Sequence, residues 1–410
     1  MLEEILTRIR NIGLSSPEES VPYITDEPKI PNFLTLPNET AQERYSTDGD
    51  HGQGYHPHET LSRVKSVAEY LERLCIDNPR KDRLFVQKFD DKEEMVDPGI
   101  FCCYSNEQIG DREKFKKDAR ESDYLWVQSR DLINGGVKFI PAQLVYLSNL
   151  FKGEFGIRKE SISTGTAFGK EGTDRALNSG LLEVIERDSC IYPYISRTEL
   201  PRIIDFNGKI GQLEEYLKRY NLEVFAFDAT SDLDVPTVIS AVIDKTGFGP
   251  AVDVGSASDF TYEDSAYKSI LEAIQCRRHA RLFKEGSFSE GAPNEDEIFS
   301  LEDRFVYWQP LERINDLSFW LESEKEISYS SLKSRVNNPQ EILSKLGERK
   351  FNIFEVDITL PELKKEGFET KKIIIPELHP LYLDERAKAL YSIHYGEVKE
   401  DKSLKPHPLT

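Results

Sequence analysis

Apolar residues return at helical spacing in four stretches of the chain, and in three of them the opposite side carries carboxylates. In the first of these, Val64, Val67, Leu71 and Leu74 form the predicted buried face, while Glu69 and Glu72 lie across the helix from it with Ser62 and Lys65, and Ser66 precedes them. In the second, Leu177, Leu181, Val184 and Ile185 share one side, and Ser179, Glu183 and Glu186 share the other. Thr173 is the expected N-cap and Asp174 sits at the positive end of the helix dipole. In the third, Ile270 and Ile274 mark the apolar side of a helix bearing Ser269, Glu272 and Gln275. The fourth, MLEEILTRIRNIG, opens the chain and carries no such set. Strand-like runs lie between the helices, among them RLFVQKF, YLWVQSR, LEVFAFDAT and VPTVISAVID. The mixture predicts an α+β fold.

Each carboxylate-bearing helix follows a stretch rich in Gly, Ser or Thr: STDGDHGQGY, STGTAFGKEG and VGSASDF. All three read as loops that let a ligand approach the backbone, though none has P-loop or G-x-G-x-x-G spacing. The proline-punctuated stretch VPYITDEPKIPNFLTLPNE reads as irregular, so residues 1–45 are expected to form a peripheral lead-in to a single region over 46–410.

The charge changes the picture in one respect. With 53 basic and 73 acidic residues, net −20 over 410 residues, the chain is unsuited to general nucleic-acid or anionic-membrane binding. No apolar run is long enough to span a bilayer, and the N-terminus lacks signal-peptide character, so a cytoplasmic location is expected. Cys75, Cys102, Cys103, Cys190 and Cys276 show no C-x-x-C spacing, which argues for reduced, buried thiols rather than a zinc site.

If the three acidic faces meet, up to five carboxylates surround one cavity, and only cations relieve their repulsion. Mg²⁺ with a polyphosphate is the simplest filling, with Arg73, Arg187 and Arg277 offsetting residual charge. The repeated S-x-x-E-x-x-E-like set, with STGTAFG ahead of GLLEVIERD and EAIQCR later, resembles the YcaO family, enzymes that use ATP to phosphorylate a peptide-backbone amide oxygen. The resemblance implies mixed or antiparallel sheets flanked by helices, with ATP held among the three Glu-bearing helices. It implies Glu69, Glu72, Glu183, Glu186 and Glu272 as Mg²⁺ ligands. Nucleotide contacts are implied for Ser66, Arg73, Ser163, Thr164, Gly165, Ala167, Ser179, Arg187, Ser269, Gln275 and Arg277. Many relatives carry G-K-G where this chain has Gly52-Gln53-Gly54.

The last ten residues, DKSLKPHPLT, are expected to be extended. Azoline-forming YcaO enzymes end in P-x-P-x-P with the terminus reaching the active site, and the ending Pro406-His407-Pro408-Leu409-Thr410 is similar. The resemblance therefore implies a catalytic role for Pro406, His407, Pro408 and Thr410, with His407 the candidate base because a free imidazole titrates near neutrality. The implied reaction is cyclodehydration of Cys, Ser or Thr in a ribosomally made precursor peptide. Its implied partners are a leader-peptide-binding protein, a flavin dehydrogenase acting afterwards, and a second copy of the chain. Two rivals are peptide thioamide synthesis from an external sulfur donor, and a non-catalytic ATP-binding accessory protein.

Overall fold

The computed structural model describes residues 2–47, 51–92, 94–158, 163–286, 293–399, 401 and 403–409. Four helices organise the site: α1 (Leu2–Asn11), α2 (Glu59–Asp77), α3 (Arg175–Ile195) and α4 (Tyr262–Gly286). Three sheets support them. Strands β1 (Glu19–Ser20), β2 (Asn32–Thr35) and β3 (Gly52–Tyr55) form an antiparallel sheet under α2. A second sheet runs β4 (Leu84–Lys88), β5 (Asp123–Asp131), β13 (Phe354–Asp357), β14 (Phe368–Ile374), β7 (Thr166–Lys170), with β6 (Val137–Pro141) also on β5. The third runs β11 (Val252–Ser258), β10 (Thr237–Asp244), β9 (Leu222–Asp228), β8 (Arg202–Ile204), β12 (Glu326–Ser328), and only its β8–β12 pair is parallel. The architecture is the expected α+β mixture of sheets flanked by helices.

All residues of β10 are buried because both of its faces are covered. Val238 and Val242 face α4, where Ala266, Ile270 and Ile274 meet them. Ile239, Ala241 and Ile243 face a second cluster built on Tyr194, Trp308 and Trp320. Helix α2 buries Val67, Leu71 and Leu74 against Trp126, Val356 and Phe368, as its apolar spacing predicts. All five cysteines are buried, and none forms a disulfide. Among the described residues, no helix is long and apolar enough to cross a membrane.

Three stretches read as loops are instead partly or wholly strands. GQGY is β3, TAFGK is β7 and VDVGSAS is β11. Their small residues serve close packing. A Cβ on Gly52 would stand 2.0 Å from the Ser66 carbonyl oxygen, and one on Gly255 would stand 2.4 Å from that of Ser269. Each strand thus lies directly against the helix whose carboxylates it supports. In Gly255→Ala the obstructing atoms are helix backbone, which cannot yield as a side-chain tip can. The variant should lose about 3 kcal/mol, measured as a drop in unfolding midpoint in urea with unchanged slope.

Residues 1–45 are not peripheral. Strand β2 pairs with β3, the Thr35 hydroxyl lies 2.9 Å from that of Ser66, and Glu27 is buried against Arg277 of α4. The prolines that made this stretch look irregular interrupt it only between short strands.

Candidate active site

The three carboxylate-bearing helices bring their glutamates within electrostatic reach of one another, and each is fixed to backbone at a strand in the same way. The amide of Gln53 in β3 donates to Glu69 Oε2, that of Gly165 just before β7 to Glu183 Oε2, and that of Ser256 in β11 to Glu272 Oε2, each at 2.8 Å. The next glutamate of the first two helices reaches onward to the following strand. Phe168 N of β7 donates to Glu72 Oε1 at 2.8 Å, and Ser258 N of β11 to Glu186 Oε2 at 3.0 Å. Ser256 Oγ adds a bond to Glu186 Oε1 at 2.7 Å. Strand amides therefore orient all five carboxylates and link the three units. Gln275 takes the corresponding place at the end of the third set, half-buried on α4.

Burial raises Glu72 to about 8, and the nearby charges of Glu183 and Glu69 add to the rise. Glu272 is likewise raised to about 8, first by burial and then by Glu186. Glu183 is raised by burial against the pull of Arg187. Burial opposes the charge on Arg187, yet Glu186, Glu183 and Glu272 outweigh it and hold its pKa above the ordinary value. Its guanidinium stands 3.4 Å from Glu183, and Arg73 pairs with Glu69 at 2.8 Å. The cluster carries more negative charge than its arginines offset, a deficit that a bound cation fits. Among the described residues no three carboxylate, His or Cys side chains form a compact cage for one ion. Mg²⁺ that keeps waters and binds phosphate oxygens does not require such a cage.

Several expected nucleotide contacts lie elsewhere. The Ser66 hydroxyl bonds Thr35 and the Arg63 carbonyl, and the Ser269 hydroxyl bonds that of Ser240 at 2.6 Å and the Ala266 carbonyl. Both are fully buried at the helix–strand contact. Ser179 is exposed and one residue out of step. The residue three before Glu183 is Gly180, where a Cβ would meet the Gly165 carbonyl oxygen at 2.6 Å. Arg277 is also out of step, because Cys276 holds the place of Arg73 and Arg187. Its guanidinium bonds Glu27, Asp244, Asp253 and the Pro250 carbonyl. These bonds occupy its five donors and leave none for a phosphate.

Ser163, Thr164, Gly165 and Ala167 do stand at the start of β7 beside Glu183. Ser163 is exposed, Ala167 is buried, and Gly165 has φ of 79°. Thr164 Oγ1 has no hydrogen-bond partner among the described residues, and the Thr164 carbonyl accepts from Lys372.

The tail is extended but buried. Pro406 O accepts from Trp308 Nε1 at 3.1 Å and Tyr194 Oη at 3.3 Å, and His407 O accepts from Arg304 Nη1 at 2.8 Å. His407 Nε2 lies 2.6 Å from the Tyr382 carbonyl. Burial, with Arg304 second, holds its pKa well below the usual imidazole range. A fully enclosed neutral ring with one nitrogen on a carbonyl is a packing element, which corrects the expectation of a base titrating near neutrality. Pro408 is buried with it, and Thr410 lies outside the described residues.

Sequence reasoning missed the strand amides, which have no side-chain signature, and the residues that steady α3 from behind. Asp188, buried next to Arg187, accepts from His379 N at 2.6 Å and meets His394 Nδ1 at 2.9 Å, while His394 Nε2 meets Asp232 at 2.9 Å. Burial works against the His394 charge, but Asp188 and Asp232 raise its pKa above 6.5. Its stabilising contribution is then fully present below pH 6.5 and is lost as pH rises through the folded value. The melting temperature of the parent chain should exceed that of His394→Asn most at acidic pH, with the gap closing toward alkaline pH.

The model of the family described as YcaO cyclodehydratase, ATP- and Mg²⁺-binding, matches residues 53–379. No curated protein matches the chain. Among solved structures, a heterocyclase in complex with substrate and cofactor aligns at TM-score 0.72 and 15% identity over 92% of this chain, which spans 52% of that one. The YcaO protein of Methanopyrus kandleri bound with AMPPCP and Mg²⁺ aligns at TM-score 0.67 and 18% identity, over 99% of this chain and 96% of that one. The E. coli microcin synthetase McbBCD complex with pro-MccB17 bound aligns at 0.65 and 15% identity, with 96% of each chain covered. Identities this low establish a shared fold.

Proposed function

This chain belongs to the YcaO family, and from that premise we propose that it is an ATP- and Mg²⁺-dependent peptide cyclodehydratase forming thiazolines or oxazolines. The observation that carries the reading is the set of five carboxylates on three helices, each accepting from a backbone amide in or beside a strand. Glu69, Glu72, Glu183, Glu186 and Glu272 are the residues that would hold Mg²⁺, which supplies charge neutralisation for transferring phosphoryl oxygens. Arg187, partnered by Glu183, would meet charge that builds on the substrate oxygen. The Ser163–Gly165 turn offers backbone beside it. The buried tail closes the apolar cluster beyond Arg187 and keeps water from that side.

In the reaction, the Cys, Ser or Thr side chain adds to the preceding carbonyl carbon and the carbonyl oxygen takes the γ-phosphoryl group of ATP. Phosphate then leaves as the C=N bond forms, and the S–H or O–H proton and the N–H proton pass to phosphate and water. A precursor peptide and a protein that presents it are the partners this reading needs, with a flavin dehydrogenase only where azoline becomes azole.

Incubation with ATP, Mg²⁺ and a precursor peptide should remove about 18 Da per modified residue, read by mass spectrometry. A gain of about 16 Da would assign thioamide synthesis instead. An unchanged peptide with nucleotide still bound would assign the accessory role.

A further inference from the structure

A cavity of about 20 Å³ lies beside Arg187, lined by Thr164, Val184, Ile375, Leu378 and His379. It has room for one water molecule or the end of one small side chain. Among the polar atoms that line it, His379 Nε2 and Thr164 Oγ1 have no hydrogen-bond partner among the described residues. His379 is only 1% exposed. Buried polar atoms left unmet are costly, so such a pair points to an occupant that supplies hydrogen bonds.

The ring is held by its own backbone. His379 N donates to Asp188 Oδ1 at 2.6 Å, and Nδ1 lies 3.2 Å from the Pro380 carbonyl. The second contact places the ring hydrogen on Nδ1 and leaves a lone pair on Nε2. Burial lowers the imidazole pKa to about 4, so it is neutral at physiological pH. Val184, Ile375 and Leu378 supply apolar wall, Arg158 and Lys372 with Arg187 make the rest of the lining cationic, and Arg187 joins the cavity to Glu183.

We propose that this cavity receives the side chain being cyclised, its S–H or O–H donating to His379 Nε2, and that it admits Cys and Ser while excluding the extra methyl group of Thr. The proposal rests on the cyclodehydratase reading and adds to it a docking atom and a substrate preference. His379 orients the nucleophile so that its lone pair meets the carbonyl carbon, and Thr164 Oγ1 offers a second polar contact.

The test uses the full chain with labelled histidine, Mg²⁺ and AMPPCP, and peptides differing only in Cys, Ser, Thr or Ala at one position. The His379 Nε2 resonance should move with the Cys and Ser peptides and stay still with Thr and Ala. With ATP in place of AMPPCP, His379→Phe should slow Cys and Ser cyclisation by roughly 10–100-fold while binding AMPPCP normally. Val184→Ala, which enlarges the cavity, should bring the Thr peptide into turnover. A resonance that moves with Cys while no peptide loses about 18 Da supports the pocket and removes the azoline reading. Cyclisation with a silent Nε2 resonance, or parental rates in His379→Phe, overturns the pocket and leaves the azoline reading standing.

Discussion

The double variant Glu183→Gln/Glu186→Gln should fold normally and lose ATP-dependent turnover by about 10³-fold or more. Glutamine matches glutamate in shape, and its amide oxygen can still accept from Gly165 N and Ser258 N, so the links to β7 and β11 persist. What disappears is two negative charges facing the shared space. Burial already raises the pKa of Glu183, so neutralising it relieves a cost of the metal-free fold. Arg187 keeps the charge of Glu272 nearby. Far-UV circular dichroism should therefore match the parent while phosphate release falls to background. Retained turnover would remove α3 from the site.

Deleting residues 406–410 should be the most damaging change to stability, on the order of 4 kcal/mol or more. It uncovers the cluster that Leu409 seals at 1% exposure. It also strips acceptors from Trp308 Nε1, Tyr194 Oη and the buried Arg304. Loss of activity in this deletion alone cannot identify a base. His407→Gln separates the roles: it should keep turnover per folded molecule near the parent value while lowering the unfolding midpoint, whereas a catalytic imidazole would show the opposite pattern.

The helices and their acidic faces were legible because burial imposes a period that sequence records directly. On α2 the predicted Val67, Leu71 and Leu74 are buried, while Val64 is only partly so and Ser62, expected on the other side, is enclosed. The strand β3 was not legible, since Gly52 is selected by contact with a helix carbonyl distant in sequence. The choice of Ser179 and Arg277 failed by one residue each. Spacing alone does not reveal that Gly180 fills the serine position and that Cys276 fills the arginine position. Arg277 looked like a phosphate contact because its partners, Glu27, Asp244 and Asp253, come from three distant segments. His407 was read from its intrinsic pKa, which burial overrides.

The five glutamates are oriented by backbone amides, which have no side-chain signature and which any strand supplies. The claim that follows is that α2, α3 and α4 form one Mg²⁺-dependent nucleotide site. Calorimetric titration of the intact chain with AMPPCP, with and without Mg²⁺, tests it most directly. One saturable binding event that needs Mg²⁺ and vanishes in Glu183→Gln/Glu186→Gln is the predicted result. Equal affinity in a metal chelator, or binding unchanged in the variant, would contradict it.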